Sequence, residues 1–116
     1  WGNFPNERKR LFDLITSKKA KRVIVLSGDR HMSELNVEKE NTPYPIYDFT
    51  SSSLNKPFKF IEPEVSEKRI GKAIVEENFG TIDINWDDKI PNIIFKIISL
   101  GGKQEFTHKI NFSEIE

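Results

Sequence analysis

The chain has no cysteine, so it can form neither a disulfide bond nor a thiolate metal site. It also has no apolar run near the roughly 18 residues that a helical membrane span needs, and we expect no membrane span. The glycine-rich loops that cradle nucleotide phosphates, GxxxxGK followed by Ser or Thr and GxGxxG, do not occur. Lys and Arg together number 18, as do Asp and Glu, so the net charge indicates no nucleic-acid partner.

The length of 116 residues is that of one ordinary domain. Apolar residues make up 36% of the chain, and nine Phe and two Trp supply large side chains for a core. The chain starts with Trp and lacks a basic start followed by an apolar stretch. We therefore expect residues 1–116 to be a single domain or a fragment of a longer one.

The first half of the chain has the pattern of an α/β protein. In ERKRLFDLITSKK, the apolar residues Leu11, Leu14 and Ile15 share one helical face, which predicts a helix from about residue 5 to residue 18. The run RVIVLS at 22–27 has no polar alternation and predicts a strand buried on both faces. A second strand, PIYDFT at 45–50, follows. Helix followed by buried strand is typical of α/β folds.

The second half indicates antiparallel strands. GTIDINWDD alternates between apolar and polar residues, and two further strands flank GGKQ at 101–104, which predicts a β-hairpin. Residues 56 to 77 carry two prolines and many charges without a clear period. For that range we expect a long surface loop with a short helical turn.

The segment VLSGDRHMSE carries the strongest functional signal. Gly28 ends the first strand, so Asp29, Arg30 and His31 follow its carboxyl end, where open α/β sheets place ligand sites. Aspartate and neutral histidine are good ligands for divalent cations. The same residues are also common in polar turns that bind nothing. The second strand ends in SSSLN at 51–55, and the two loops could converge on one site.

Further ligands are hard to find in the chain. Glu34 could orient His31, and Asp48 could be a buried carboxylate near the site or a partner in a cross-strand hydrogen bond. His108 lies on the face of Phe106 and Ile110, as a packed or edge histidine would. The serines at 51–53 lack a GxSxG setting, which disfavours a serine hydrolase. A catalytic zinc needs about three protein ligands, and the pattern supplies two.

Four segments, in this order, resemble the carboxyl-terminal portion of the alkaline phosphatase D-like branch of the calcineurin-like metallophosphoesterases. They are WGNFPNERKRLFDLI, VIVLSGDRHMSEL, IYDFTSSSLN and NFGTIDINWD. They cover most of the chain outside residues 56 to 77. SGDRH is the most specific piece, because the superfamily usually closes its metal-binding motifs with Gly-His-x-His and this branch has Gly-Asp-x-His.

The resemblance implies a partial four-layer α/β sandwich with an antiparallel, hairpin-rich carboxyl-terminal half. It implies a metal-dependent phosphomonoesterase or phosphodiesterase in which two metal ions activate a water that attacks phosphorus. Fe, Ca, Zn and Mn are all open as the metal. The implied ligands are Asp29 and His31, with Arg30 pointing either at the phosphate or into solvent. The implied substrate-pocket rim contains Ser52, Ser53 and Asn55, and the implied location is extracytoplasmic, either periplasmic or secreted.

The earlier motifs of that family, which supply most of its metal ligands, would lie upstream of Trp1. The remaining ligands are therefore expected from the upstream part of the same polypeptide or from an oligomer partner. We expect the isolated 116-residue chain to be inactive. The alternative is a non-catalytic α/β interaction module that binds no metal and packs on a partner through Phe and Ile surfaces.

Overall fold

The structure is a computed structural model that describes residues 1–60, 62–87 and 89–116. One helix and seven strands are described: α1 (Pro5–Ser17), β1 (Ile24–Ser27), β2 (Ser33–Glu38), β3 (Ile46–Ser51), β4 (Arg69–Ile74), β5 (Asn78–Asn85), β6 (Asn92–Ser99) and β7 (Gln104–Asn111). Short 3₁₀ turns lie at Leu100–Gly102 and Phe112–Ile115. The strands form two sheets, which confirms the predicted α/β class in this general form.

Helix α1 confirms the predicted helix. It begins at Pro5, whose fixed φ suits a first turn, and Glu7 in that turn complements the positive end of the helix dipole. Ile15 is buried, and Leu11 is partly buried against the same core. Leu14, which the pattern placed on this face, is instead exposed. Among the described residues, no helix is long and apolar enough to cross a membrane.

The first sheet has the strand order β1-β3-β2-β4. Strand β1 pairs with β3 in parallel, and β2 pairs antiparallel with both β3 and β4. The predicted strands at 22–27 and 45–50 are therefore confirmed as strands. The prediction that the first is buried on both faces is wrong for this chain. Strand β1 is an edge strand, and its Leu26 side chain is 67% exposed because no described residue covers it.

The second sheet is an antiparallel meander of β5, β6 and β7. The predicted hairpin is confirmed, and its turn places Gly101 and Gly102 at φ 80°, a conformation that glycine adopts without steric cost. Along β5, the apolar side chains are buried unequally: Ile82 packs against the core and Ile84 is largely exposed.

The core lies between the two sheets. Tyr47 and Phe49 of β3 pack on Phe95 of β6, with ring centroids 6.1 and 5.3 Å away. Leu35 of β2 and Ile97 of β6 are fully buried in the same cluster. Large apolar side chains from both sheets therefore hold the sheets together, and they keep β3 rigid where it leads into the loop at 51–55.

The prediction for residues 56 to 77 is partly wrong. Strand β4 lies within this range and pairs with β2. The described residues 56–60 and 62–77 include no helix, and turns lie at residues 59–60 and 67–68. The strand was not apparent because its pairing is irregular: the register shifts between Ser33 and Leu35, and Gly71 has a φ of 73°. The other described residues of this range, 56–60, 62–68 and 75–77, lie in loops as predicted, and residue 61 lies outside the described residues. The name 56–68 loop below refers to the described residues 56–60 and 62–68.

The substitution Gly80→Ala tests the close contact between the two sheets. A methyl group at this position would lie 2.7 Å from Phe49 Cε1 and 2.8 Å from Cζ, and the buried Phe49 ring cannot move away. We expect Gly80→Ala to lower the free energy of unfolding by about 1–3 kcal/mol in urea denaturation. Gly2→Ala is the control, because nothing lies within 4 Å of its added methyl group. Equal stability of the two variants would contradict the packing.

Candidate functional site

The loops after β1 and β3 converge, as predicted. Parallel pairing sets Ser27 beside Thr50, so both strands end at the same edge of the sheet. The Ser52 hydroxyl accepts a hydrogen bond from the Arg30 backbone N–H at 3.0 Å and donates one to the Met32 carbonyl at 3.1 Å. Ser52 therefore holds the loop at 28–31 against the end of β3.

The loop at 28–31 has an unusual backbone. Asp29 has a φ of 63° and His31 a φ of 54°, both in the left-handed region. Gly28, which could adopt that conformation most easily, is not among the residues with positive φ. Each such non-glycine residue costs about 1 kcal/mol, and they cluster at functional sites. The fold thus maintains two strained residues on either side of Arg30.

The imidazole of His31 is held by the loop at 56–68. Its Nδ1 is hydrogen-bonded to the Lys56 carbonyl, and its ring stacks on Phe58 with centroids 4.0 Å apart and an interplanar angle of 10°. A carbonyl oxygen can only accept a hydrogen bond, so Nδ1 carries the proton. The lone pair of Nε2 is then available for a ligand or a proton donor.

The Arg30 side chain forms an ion pair with Glu64. Its Nη2 donates to both Glu64 carboxylate oxygens, at 2.6 and 2.8 Å. This hydrogen bond raises the pKa of Arg30 and lowers the pKa of the Glu64 carboxyl. The pair therefore ties the loop at 28–31 to the 56–68 loop.

Glu34 does not orient His31. It is buried, and its carboxylate accepts a hydrogen bond from Arg69 Nε on β4 at 2.6 Å. Arg69 Nη1 also donates to the Glu64 carbonyl at 2.7 Å, whereas the buried Arg69 Nη2 has no hydrogen-bond partner among residues 1–60, 62–87 and 89–116. A charged row, Glu34–Arg69–Glu64–Arg30, therefore runs from the sheet to the loop at 28–31.

The residues expected on a pocket rim differ in their surroundings. Ser52 is half-buried and supports the loop, as described above. Ser53 is completely buried, and its hydroxyl accepts a hydrogen bond from the Asn78 side-chain amide at 2.6 Å, so it joins β3 to β5 beneath the surface. Asn55 is exposed. The rim role of these three residues stays a prediction.

A small cavity of about 210 Å³ adjoins the site. Its walls are partly charged and partly apolar: Asp29, Arg30, Met32, Phe58, Pro63, Glu64 and Val75. The sequence pattern did not indicate Phe58 or Glu64 as site residues. Phe58 is an aromatic residue and Glu64 an acidic one in a segment rich in charge and proline, and neither feature shows which residue it would contact.

Asp48 and His108 have structural roles. Ser27 Oγ donates to Asp48 Oδ1 at 2.8 Å across β1 and β3, and burial raises the pKa of the Asp48 carboxyl. His108 lies half-buried near Tyr47 and Phe106, with ring centroids 6.0 and 6.4 Å away, and burial lowers its pKa. These contacts match the cross-strand and packed-histidine alternatives of the sequence analysis.

Asp29 and His31 stay the predicted metal ligands. Within residues 1–60, 62–87 and 89–116, no three His, Cys, Asp or Glu side chains are grouped so that they could hold a metal ion. Comparisons of the chain with protein-family models, with curated proteins and with solved structures give no match. Inferences about function therefore start from the geometry of the loop at 28–31.

Ser52→Ala tests whether one hydroxyl holds this loop. Removing it leaves the Arg30 amide without its acceptor, at a cost of about 1 kcal/mol. We expect amide hydrogen exchange at residues 28–32 to rise by about fivefold or more. Ser17→Ala, which removes a hydroxyl bonded to the Leu14 carbonyl at the end of α1, is the control and should leave these amides unchanged. Unchanged exchange in Ser52→Ala would contradict this role.

The environment of the Asp48 carboxyl leads us to expect that the stability of the fold depends on pH. Its raised pKa means that the folded chain binds a proton more tightly than the unfolded chain, so stability falls as pH rises from the ordinary value of 3.8 through the folded pKa. We expect Asp48→Asn to gain stability relative to the wild type across that window, measured as unfolding free energy in urea at several pH values. A difference that does not change with pH would contradict this expectation.

Proposed function

We propose that this chain contributes two ligands, Asp29 and His31, to a metal centre that hydrolyses phosphate esters. The observation that carries the proposal is the hydrogen bond from His31 Nδ1 to the Lys56 carbonyl. Metal-binding histidines typically donate their other ring N–H to a carbonyl or carboxylate, which fixes the tautomer and the ring orientation. His31 has this arrangement with its Nε2 available.

The donor set fits a divalent transition metal in part. Asp29 is exposed and lies two residues from His31, and both have the left-handed backbone that turns this loop sharply. Carboxylate oxygen and imidazole nitrogen together suit Zn, Mn or Fe better than Ca, which prefers oxygen alone. Because a catalytic site needs about three protein ligands, the proposal requires others from the upstream part of the same polypeptide or from an oligomer partner.

The residues around the pair are suited to a phosphate ester. Bound metal ions would supply Lewis acidity and a water of lowered pKa. Arg30 carries the donors that recognise phosphate oxygens, and it lies between the two proposed ligands. The cavity beside Asp29, with Met32 and Phe58 in its wall, is placed to receive the organic part of a substrate.

The exposed apolar surface supports a larger assembly. Strand β1 is a sheet edge with exposed Leu26, and Trp1, Phe4 and Leu14 are also exposed. Unpaired strand edges and apolar side chains of this kind are normally covered in native proteins. We propose that the two sheets are part of a four-layer sandwich whose other part covers them, in an extracytoplasmic protein, as the family resemblance implies.

The second candidate function is a non-catalytic interaction module. The same exposed apolar residues favour it, because they could pack on a partner without any metal. The two functions differ in metal binding. Calorimetric titration with Zn²⁺ or Mn²⁺ should give a heat of binding for the metal site and none for the module.

His31→Ala tests the proposed ligand. In a polypeptide extended upstream, we expect this variant to lose about 100-fold or more of its activity on p-nitrophenyl phosphate and bis-p-nitrophenyl phosphate, as the wild type should with chelator. His108→Ala, which removes the other histidine, should stay within a few-fold of the wild type.

A second measurement does not depend on activity. In the 116-residue chain, Zn²⁺ should shift the imidazole NMR signals of His31 and leave those of His108 in place. Full hydrolysis by His31→Ala would end the ligand role of His31. An unshifted His31 signal together with no heat of binding would favour the interaction module.

A further inference from the structure

We propose that Arg30 forms a binding site for a phosphate oxyanion and that Glu64 occupies this site in the ligand-free chain. Binding of phosphate would then require the Glu64 carboxylate, and with it the 56–68 loop, to move away from Arg30. This inference rests on the proposed function, because it assigns the phosphate group of the substrate to Arg30. It adds that Glu64, a residue of the same chain, competes with the phosphate group for Arg30.

The geometry of the Arg30–Glu64 pair supports the substitution of one anion for another. Both carboxylate oxygens of Glu64 lie within 2.8 Å of Arg30 Nη2. A phosphate group presents oxygens at similar spacing and with similar charge to a guanidinium, and the two anions compete for the same donors. Glu64 therefore stands where a phosphate oxyanion would bind.

The pair is accessible to a competitor from solvent. The Arg30 side chain is 46% exposed and the Glu64 side chain is 57% exposed. Ion pairs with this exposure contribute little net stability, because water and dissolved ions screen and replace them. A ligand anion can therefore displace the carboxylate without disturbing the core.

In its described part, the 56–68 loop is attached to the rest of the chain mainly by hydrogen bonds and ion pairs. Besides the contacts of Glu64 and of the His31 ring given above, the Phe58 N–H donates to the His31 carbonyl at 3.1 Å, the Val37 N–H donates to the Lys68 carbonyl at 2.9 Å, and Lys59 pairs with Glu77 at 2.6 Å. The apolar side chains Phe60 and Val65 are 101% and 98% exposed, so these two add no buried area. Release of the described residues near Glu64 would therefore break polar contacts that water can replace, and it would leave the core in place.

Arg69 brings a second guanidinium next to Glu64. Its Nη1 donates to the Glu64 carbonyl at 2.7 Å. Its Nη2 is buried and forms no hydrogen bond within the described part of the chain. A phosphate that takes the place of the Glu64 carboxylate would therefore bind near a second positive charge that has an unused donor.

The test measures inorganic phosphate binding by calorimetry, with chelator present and with ionic strength held constant by chloride. We expect Glu64→Gln to bind phosphate about three- to fivefold more tightly than the wild type, because the competing carboxylate charge is gone. Glu67→Gln makes the same change of charge three residues away on an exposed side chain and should leave the affinity unchanged. The double variant Arg30→Gln with Glu64→Gln should lose the gain.

The movement of the loop has its own measurement. Limited proteolysis with trypsin should cleave after Lys59 faster in Glu64→Gln than in Glu67→Gln. Equal phosphate affinity in these two variants, a gain that persists without Arg30, or equal cleavage rates would each overturn the proposal. Because no metal and no hydrolysis are involved, loss of the proposed enzymatic function would show separately, in the His31→Ala experiments.

Discussion

The parallel pairing of β1 with β3 is the constraint on which the candidate site depends. It aligns Ser27 with Thr50, so that both strands end at one edge of the sheet and their following loops meet. The Ser52 hydroxyl then links the two loops through the backbone of Arg30 and Met32. Packing of β3 on Phe95 of the second sheet keeps this edge rigid.

The 56–68 loop supplies the second layer of the site. It determines the tautomer of His31 through the Lys56 carbonyl, and it positions Arg30 through Glu64. Behind it, the buried Glu34–Arg69 pair connects β2 to β4 and holds the Glu64 backbone. The described part of this loop therefore contacts both polar side chains that follow the strained Asp29.

Local pattern was enough to predict helix α1, the two strands that form the parallel pair and the carboxyl-terminal hairpin. It also placed the loop at 28–31 at the end of a strand and brought it together with the loop at 51–55. Local pattern did not predict β4. This strand pairs irregularly with β2 and contains Gly71, and its sequence shows no regular alternation of apolar and polar residues. Nor could local pattern show that β1 is exposed, because burial of a strand depends on its neighbours in space.

The sequence by itself determined which residues are the candidates for a functional site: an aspartate, an arginine and a histidine directly after an apolar strand. The spacing of apolar and polar residues along the chain indicates where a strand ends and a turn begins, and therefore which side chains follow the strand. Only the tertiary structure decided the partners of these residues. Glu64 lies 34 residues from Arg30, and Lys56 lies 25 from His31. Such contacts join residues that are far apart in the sequence, and they depend on how the chain folds and packs. The local periodicity of a sequence does not predict them.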